Sequence, residues 1–100
     1  MAISKQYLKT KPACKVTFLV PADQATDVDH VVLVGEFADW QDQPMKKQKN
    51  GDFSLTLTLA NDASYQFRYR LGTDHWRNDE AADDYVPSPV SWDQNSVVRV

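Results

Sequence analysis

The sequence contains a single cysteine, Cys14, so no disulfide can form within the chain. A lone thiol fits a reducing compartment, and a cytoplasmic location is expected. No activating partner stands near Cys14, so it reads as a small apolar strand residue rather than a nucleophile. No apolar run approaches the roughly 20 residues that cross a bilayer. Met1–Leu8 also lacks the apolar stretch of a secretory signal. No segment of the chain is strongly basic. The formal net charge is -3, and Lys46, Lys47 and Lys49 form only a short cluster. Nucleic acid is not an expected partner, because counterion release needs many phosphate contacts. The three glycines, Gly35, Gly51 and Gly72, are too scattered for a phosphate loop. His30 and His75 stand alone, whereas zinc takes three or four converging ligands, so neither metal nor cofactor is expected.

What remains is alternation. Phe53, Leu55, Leu57 and Leu59 alternate with Ser54, Thr56 and Thr58. Tyr65, Phe67, Tyr69 and Leu71 alternate with Gln66, Arg68 and Arg70. Cys14, Val16, Phe18 and Val20 alternate in the same way. A period of two places each set on one face of a strand. The continuous run Val31–Val34 predicts a strand covered on both faces. Val97, Val98 and Val100 predict a last strand.

Turn signals separate these runs. Asn50-Gly51 favours a tight hairpin joining Met45–Lys49 to Phe53–Leu59. Pro21 ends the first alternating strand, and Asn61-Asp62 and Leu71–Asp74 mark later reversals. Pro87 and Pro89 keep the segment before the last strand extended. The pattern predicts an all-β, antiparallel sandwich of about seven strands in one domain. Residues 1–13 are expected to form an arm, and residues 14–100 the sandwich domain.

The three tryptophans fall outside the alternating faces. Trp40 follows Gly35-Glu36-Phe37-Ala38-Asp39, Trp76 lies in Asp74–Asp79, and Trp92 lies in Ser91–Asn95. Each sits among hydrogen-bonding side chains. Such an indole either folds back over the end of the sandwich or is displayed as a flat platform. A displayed indole matches the apolar C–H face of a sugar ring, while polar side chains such as Arg68, Asn78 and Asn95 can bond the hydroxyl rim. Exposed aromatics equally mark protein-docking surfaces.

The stretch Val31-Val32-Leu33-Val34-Gly35-Glu36-Phe37-Ala38-Asp39-Trp40 resembles the V-x-L-x-G-(D/S)-F-N-x-W signature of isoamylase amino-terminal domains. These are the family 48 carbohydrate-binding modules, which include the glycogen-binding domain of the AMP-activated kinase β subunit. Pro44-Met45, Asn50–Phe53, Tyr65–Tyr69 and Asn95–Val100 follow in the family's order, so the likeness covers residues 14–100. Tyr7–Phe18 resembles the opening of short stand-alone bacterial members. The resemblance implies an immunoglobulin-like sandwich that binds α-1,4-linked glucan, such as glycogen or a maltooligosaccharide. It assigns carbohydrate binding to Trp40, Arg68, Trp76 and Asn95. A partner enzyme of glycogen metabolism is also implied. Arg68 stands where the family has lysine, Ala38 replaces the common asparagine, and the turn before Trp76 is one residue longer.

Enzymatic relatives of such modules hydrolyse glycosides with paired carboxylates carried on a barrel of about 250 residues. This chain has no room for that barrel, so Asp39, Asp42, Asp79, Asp83 and Asp84 read as loop acids. The expectation is a non-catalytic α-glucan-binding module. The alternative is a protein-interaction or regulatory module of the same fold that has lost glucan binding.

Overall fold

The computed structural model describes residues 1–26, 28–73, 75–88 and 94–100. Among them are ten strands and two single-turn 3-10 helices, Ala22–Gln24 and Glu36–Ala38. The strands are β1 (Ala2–Tyr7), β2 (Ala13–Val20), β3 (Val31–Gly35), β4 (Gln43–Pro44), β5 (Lys46–Lys47), β6 (Phe53–Ala60), β7 (Ser64–Leu71), β8 (His75–Arg77), β9 (Asp84–Pro87) and β10 (Gln94–Arg99). One sheet runs β1-β2-β6-β5; the other runs β4-β3-β7-β10-β9, with β8 also paired to β7. Every strand pairing is antiparallel. The fold is the all-β antiparallel sandwich that the alternation predicts.

The core lies between the two sheets. Cys14, Val16, Phe18 and Val20 of β2 are completely buried, and so are Leu33, Phe67, Tyr69 and Val98 from the second sheet. Phe18 meets Phe67 edge-on at 5.2 Å between ring centroids, and Phe67 meets Tyr69 edge-on at 5.6 Å. Both are favourable aromatic geometries. β3 is buried along its whole length. Its neighbours β4 and β7 satisfy its backbone from either side.

Ten strands appear where about seven were expected, because β4, β5 and β8 span only two or three residues. So short a strand shows no alternation to read. The expected hairpin at Asn50-Gly51 forms, but only Lys46 and Lys47 pair with Ser54 and Phe53. Gly51 adopts φ 93°, which a side chain would resist. Asp52 then braces the turn by accepting the Ala22 N–H at 2.8 Å.

The amino-terminal segment is built into the first sheet. β1 pairs residue for residue with β2, from Ala2 opposite Leu19 to Tyr7 opposite Cys14. Lys5 reaches across to Asp83 at 2.7 Å, tying this edge strand to the segment before β9. Met1 packs into the core, and its ammonium pairs with Glu80.

Candidate functional site

The Gly35–Asp42 segment is organised residue by residue. β3 ends at Gly35, and the chain turns back through the 3-10 helix Glu36–Ala38. Phe37 folds over Gly35 and packs between Phe18 and Tyr65, at 5.6 and 6.1 Å between ring centroids. Glu36 accepts the backbone N–H of Gln66 at 2.6 Å, bonding β7 just beyond the end of β3. Asp39 and Trp40 both take left-handed backbone conformations, with φ 52° and 61°. The Trp40 N–H closes the turn onto the Gly35 carbonyl at 2.9 Å. A bulky residue rarely adopts such a φ. Here it leaves the indole 43% exposed rather than folded into the core.

The strand β7 supplies the floor beside this loop. Phe67, Tyr69 and Leu71 point inward and are buried, so Gln66, Arg68 and Arg70 point outward. Across β3, Arg68 lies opposite Val34 and Arg70 opposite Val32. Both valines are only 6% exposed, although they lie on the outer face and outside the central core cluster. Long arginine stems beside them provide apolar cover while the charged heads stay at the surface.

On the other edge of β7, Trp76 of β8 stands in register with Arg70. The guanidinium carbons of Arg68 and Arg70 each lie 5.6 Å from the Trp76 ring centroid. This is cation–π distance, and it orients the indole at the surface. Trp76 is 43% exposed, as Trp40 is. Arg70 also makes a two-pronged ion pair with Asp42, with Nη1–Oδ1 at 3.2 Å and Nη2–Oδ2 at 2.6 Å. The loop that carries Trp40 is thereby tied to the strand that supports Trp76.

Asn95 is 3% exposed, and its Nδ2 donates to Gln66 Oε1 at 3.0 Å. It therefore lies beneath the outer surface and fixes the Gln66 amide. Trp92 and Pro89 lie outside the described residues.

A buried polar network anchors the far end of β8. The Tyr69 hydroxyl donates to Asp79 Oδ2 at 2.8 Å, and the Asp79 N–H donates to Ser96 Oγ at 2.9 Å. Asn78 Oδ1 accepts both the N–H and the hydroxyl of Ser96, while its Nδ2 donates to the Gln94 carbonyl. Burial pushes the Asp79 carboxyl above the usual aspartate range, against the lowering effect of the Ala81 N–H and the Tyr69 hydroxyl. The same burial, together with the Asp79 charge, pushes the Tyr69 phenol upward. These bonds hold the segment following Trp76 against β10.

A cavity of about 330 Å³, lined in part by Gln24, Val28, Leu71, His75 and Arg77, opens nearby. His75 and Arg77 flank Trp76 in β8 and alternate to the opposite face, so this cavity is separate from the indole surface. No three His, Cys, Asp or Glu side chains converge as metal ligands among the described residues. Among those residues, no helix is long and apolar enough to cross a membrane.

No family model matches the chain, and no curated protein does. What the surface can do is therefore read from its own side chains. It offers two half-exposed indoles, two guanidiniums held beside one of them, and a Gln66 amide oriented by Asn95. In the sequence Arg70 reads only as an outward residue of an alternating strand and Asp42 only as a loop acid; their pairing is a finding of the structure. Arg70 had a signal: it shares the outward face of β7 with Arg68 by simple alternation. Asp42 had none, because its pairing with Arg70 spans 28 residues.

Proposed function

We propose that this chain is a non-catalytic module that binds α-1,4-linked glucan, of the glycogen or maltooligosaccharide type. The observation that supports this reading is the equal, 43% exposure of Trp40 and Trp76 on loops and strands joined by the Asp42–Arg70 pair. Each indole stacks on the C–H face of a glucose ring. Arg68 and the Gln66 amide donate to sugar hydroxyls, and Asn95 positions Gln66 from below. The module works in the cytoplasm, either tethering itself to glycogen or bringing a glycogen-metabolising enzyme to it. The likeness of Val31–Trp40 to glucan-binding modules agrees with this assignment.

Titration with maltoheptaose, followed by tryptophan fluorescence and by indole N–H signals in NMR, tests the reading. Saturable changes at millimolar sugar are expected, with each of Trp40→Ala and Trp76→Ala abolishing or strongly weakening them. No response from the parent protein would sink the proposal. A response retained in both variants would move the site elsewhere on the molecule.

One observation favours the second reading, a protein-docking module. All seven lysines fall within residues 1–20 and 45–60, alongside one acid, Asp52; the rest of the chain holds thirteen acids and four arginines. Lys46, Lys47 and Lys49 are exposed and make no ion pair among the described residues. Such a segregation of cations suits an acidic protein surface through charge complementarity. Salt-sensitive binding of an acidic partner, unaffected by Trp40→Ala and Trp76→Ala, is the result that would support this reading.

A further inference from the structure

We infer that Asp42 and Arg70 act as a positioning pair that makes Trp40 and Trp76 one preorganised surface. This deepens the proposed function and rests on it for the ligand. Arg70 has two attachments. Its guanidinium lies 5.6 Å from the Trp76 ring, and both of its terminal nitrogens bond the two oxygens of Asp42. Asp42 lies two residues after Trp40, whose backbone is held at φ 61°. A rigid, planar guanidinium can serve a carboxylate in its plane and an indole across its face at the same time. An ammonium, being a point charge, cannot fix both directions.

The chemistry of the pair fits this role. Arg70 Nε is buried and has no hydrogen-bond partner among the described residues, and the acceptor of both terminal nitrogens there is Asp42. The Asp42 side chain is 54% exposed and that of Arg70 is 22% exposed, so the pair lies at the water boundary. Salt therefore screens it in part. An uncharged sugar has no charge of its own to screen. Binding of that neutral ligand consequently becomes salt-sensitive through the positioning pair. Preorganising the two platforms lowers the ordering cost that the ligand would otherwise meet.

Asp39 provides an internal control. It lies in the same loop, is exposed and makes no ion pair among the described residues. Its left-handed backbone is one that asparagine adopts readily. Asp39→Asn and Asp42→Asn thus make the same charge change three residues apart, and only the second breaks the pair.

The experiment compares the parent protein with Asp42→Asn, Asp42→Glu, Arg70→Lys and Asp39→Asn. Without sugar, Asp42→Asn and Arg70→Lys should shift the indole N–H signals of both Trp40 and Trp76, while Asp39→Asn leaves Trp76 unmoved. With maltoheptaose, Asp42→Asn should weaken binding about threefold to fivefold, the size expected of a half-exposed ion pair, and remove its salt dependence. Asp42→Glu should restore part of the affinity. If Asp42→Asn leaves the Trp76 signal in place, the inference is overturned whether or not sugar binds. If the parent protein ignores maltoheptaose while the indole signals still move together, the glucan reading fails and the coupling stands.

Discussion

A β-carbon placed on Gly35 would lie 2.5 Å from Cζ of Phe37. The ring has no easy retreat, because Phe18, Tyr65 and Phe67 surround it. Gly35 has an extended backbone, so the requirement for glycine here is one of space rather than of torsion angle. Gly35→Ala should destabilise the fold by about 1–3 kcal/mol, as overpacking does. Thermal melting measures this directly. Because the Gly35 carbonyl accepts the Trp40 N–H, the substitution should also alter Trp40 fluorescence. An unchanged melting point would mean that Phe37 has another place to go.

Trp40 stores backbone strain at φ 61°, within the surface proposed to bind sugar. A left-handed conformation costs an ordinary residue about 1–2 kcal/mol and costs glycine almost nothing. Trp40→Ala and Trp40→Gly both remove the indole, but only glycine relieves the backbone. Trp40→Gly should therefore be more stable than Trp40→Ala by about 1 kcal/mol, and both should lose the sugar response. Denaturant titration of the pair decides it. Equal stability would show that the turn relaxes away from its left-handed form once the indole is gone.

The Tyr69–Asp79 bond gives a pH-dependent prediction. Asp79 holds its proton more tightly in the folded chain than in the unfolded one. Its contribution is therefore full below the ordinary aspartate pKa and is lost as pH rises through the raised value. Tyr69→Phe removes a donor that favours the ionised form, so it pushes the Asp79 pKa higher still. The loss should be about 1–3 kcal/mol near neutral pH, where a buried carboxylate is left short of a bond. It should shrink in acid, where the carboxyl is protonated. Other groups move in the opposite sense. Asp83 is raised by burial, but the Arg99 N–H and the Lys5 ammonium outweigh that and hold it low. The difference between Tyr69→Phe and the parent, measured at each pH, isolates Asp79 from them. An equal loss in acid and at neutrality would assign the hydroxyl to packing alone.

Cys14 is completely buried as part of the hydrophobic core. Its thiol should resist modification in the native protein and react at once in denaturant. The native rate then reports opening of β2, which lies centrally between β1 and β6. Rapid labelling without denaturant would contradict the packing of this strand.

The sequence carried the sandwich because burial in a sheet is a local, period-two code. Cys14–Val20 and Tyr65–Leu71 each show which face is inside before any partner is known. It also carried Trp40 and Trp76 as residues that the core does not use, and Arg68 as outward-facing. It left open whether either indole folds back over the sandwich. Asn95 shows why a polar residue near the candidate surface is not necessarily on it: the Gln66 amide and the β10 register hold it underneath.

Alternation and turn residues, which act between neighbours in the chain, determined β2, β3, β6, β7 and β10, the sandwich and the three unclaimed tryptophans. Tertiary structure alone decided that Trp40 and Trp76 stand half-exposed and that one arginine contacts both Trp76 and Asp42. Asp42 and Arg70 lie 28 residues apart, and their ion pair exists only after β3 and β7 have paired and the Gly35 turn has closed. No spacing in the sequence encodes such a contact, because it depends on the direction in which a folded loop points.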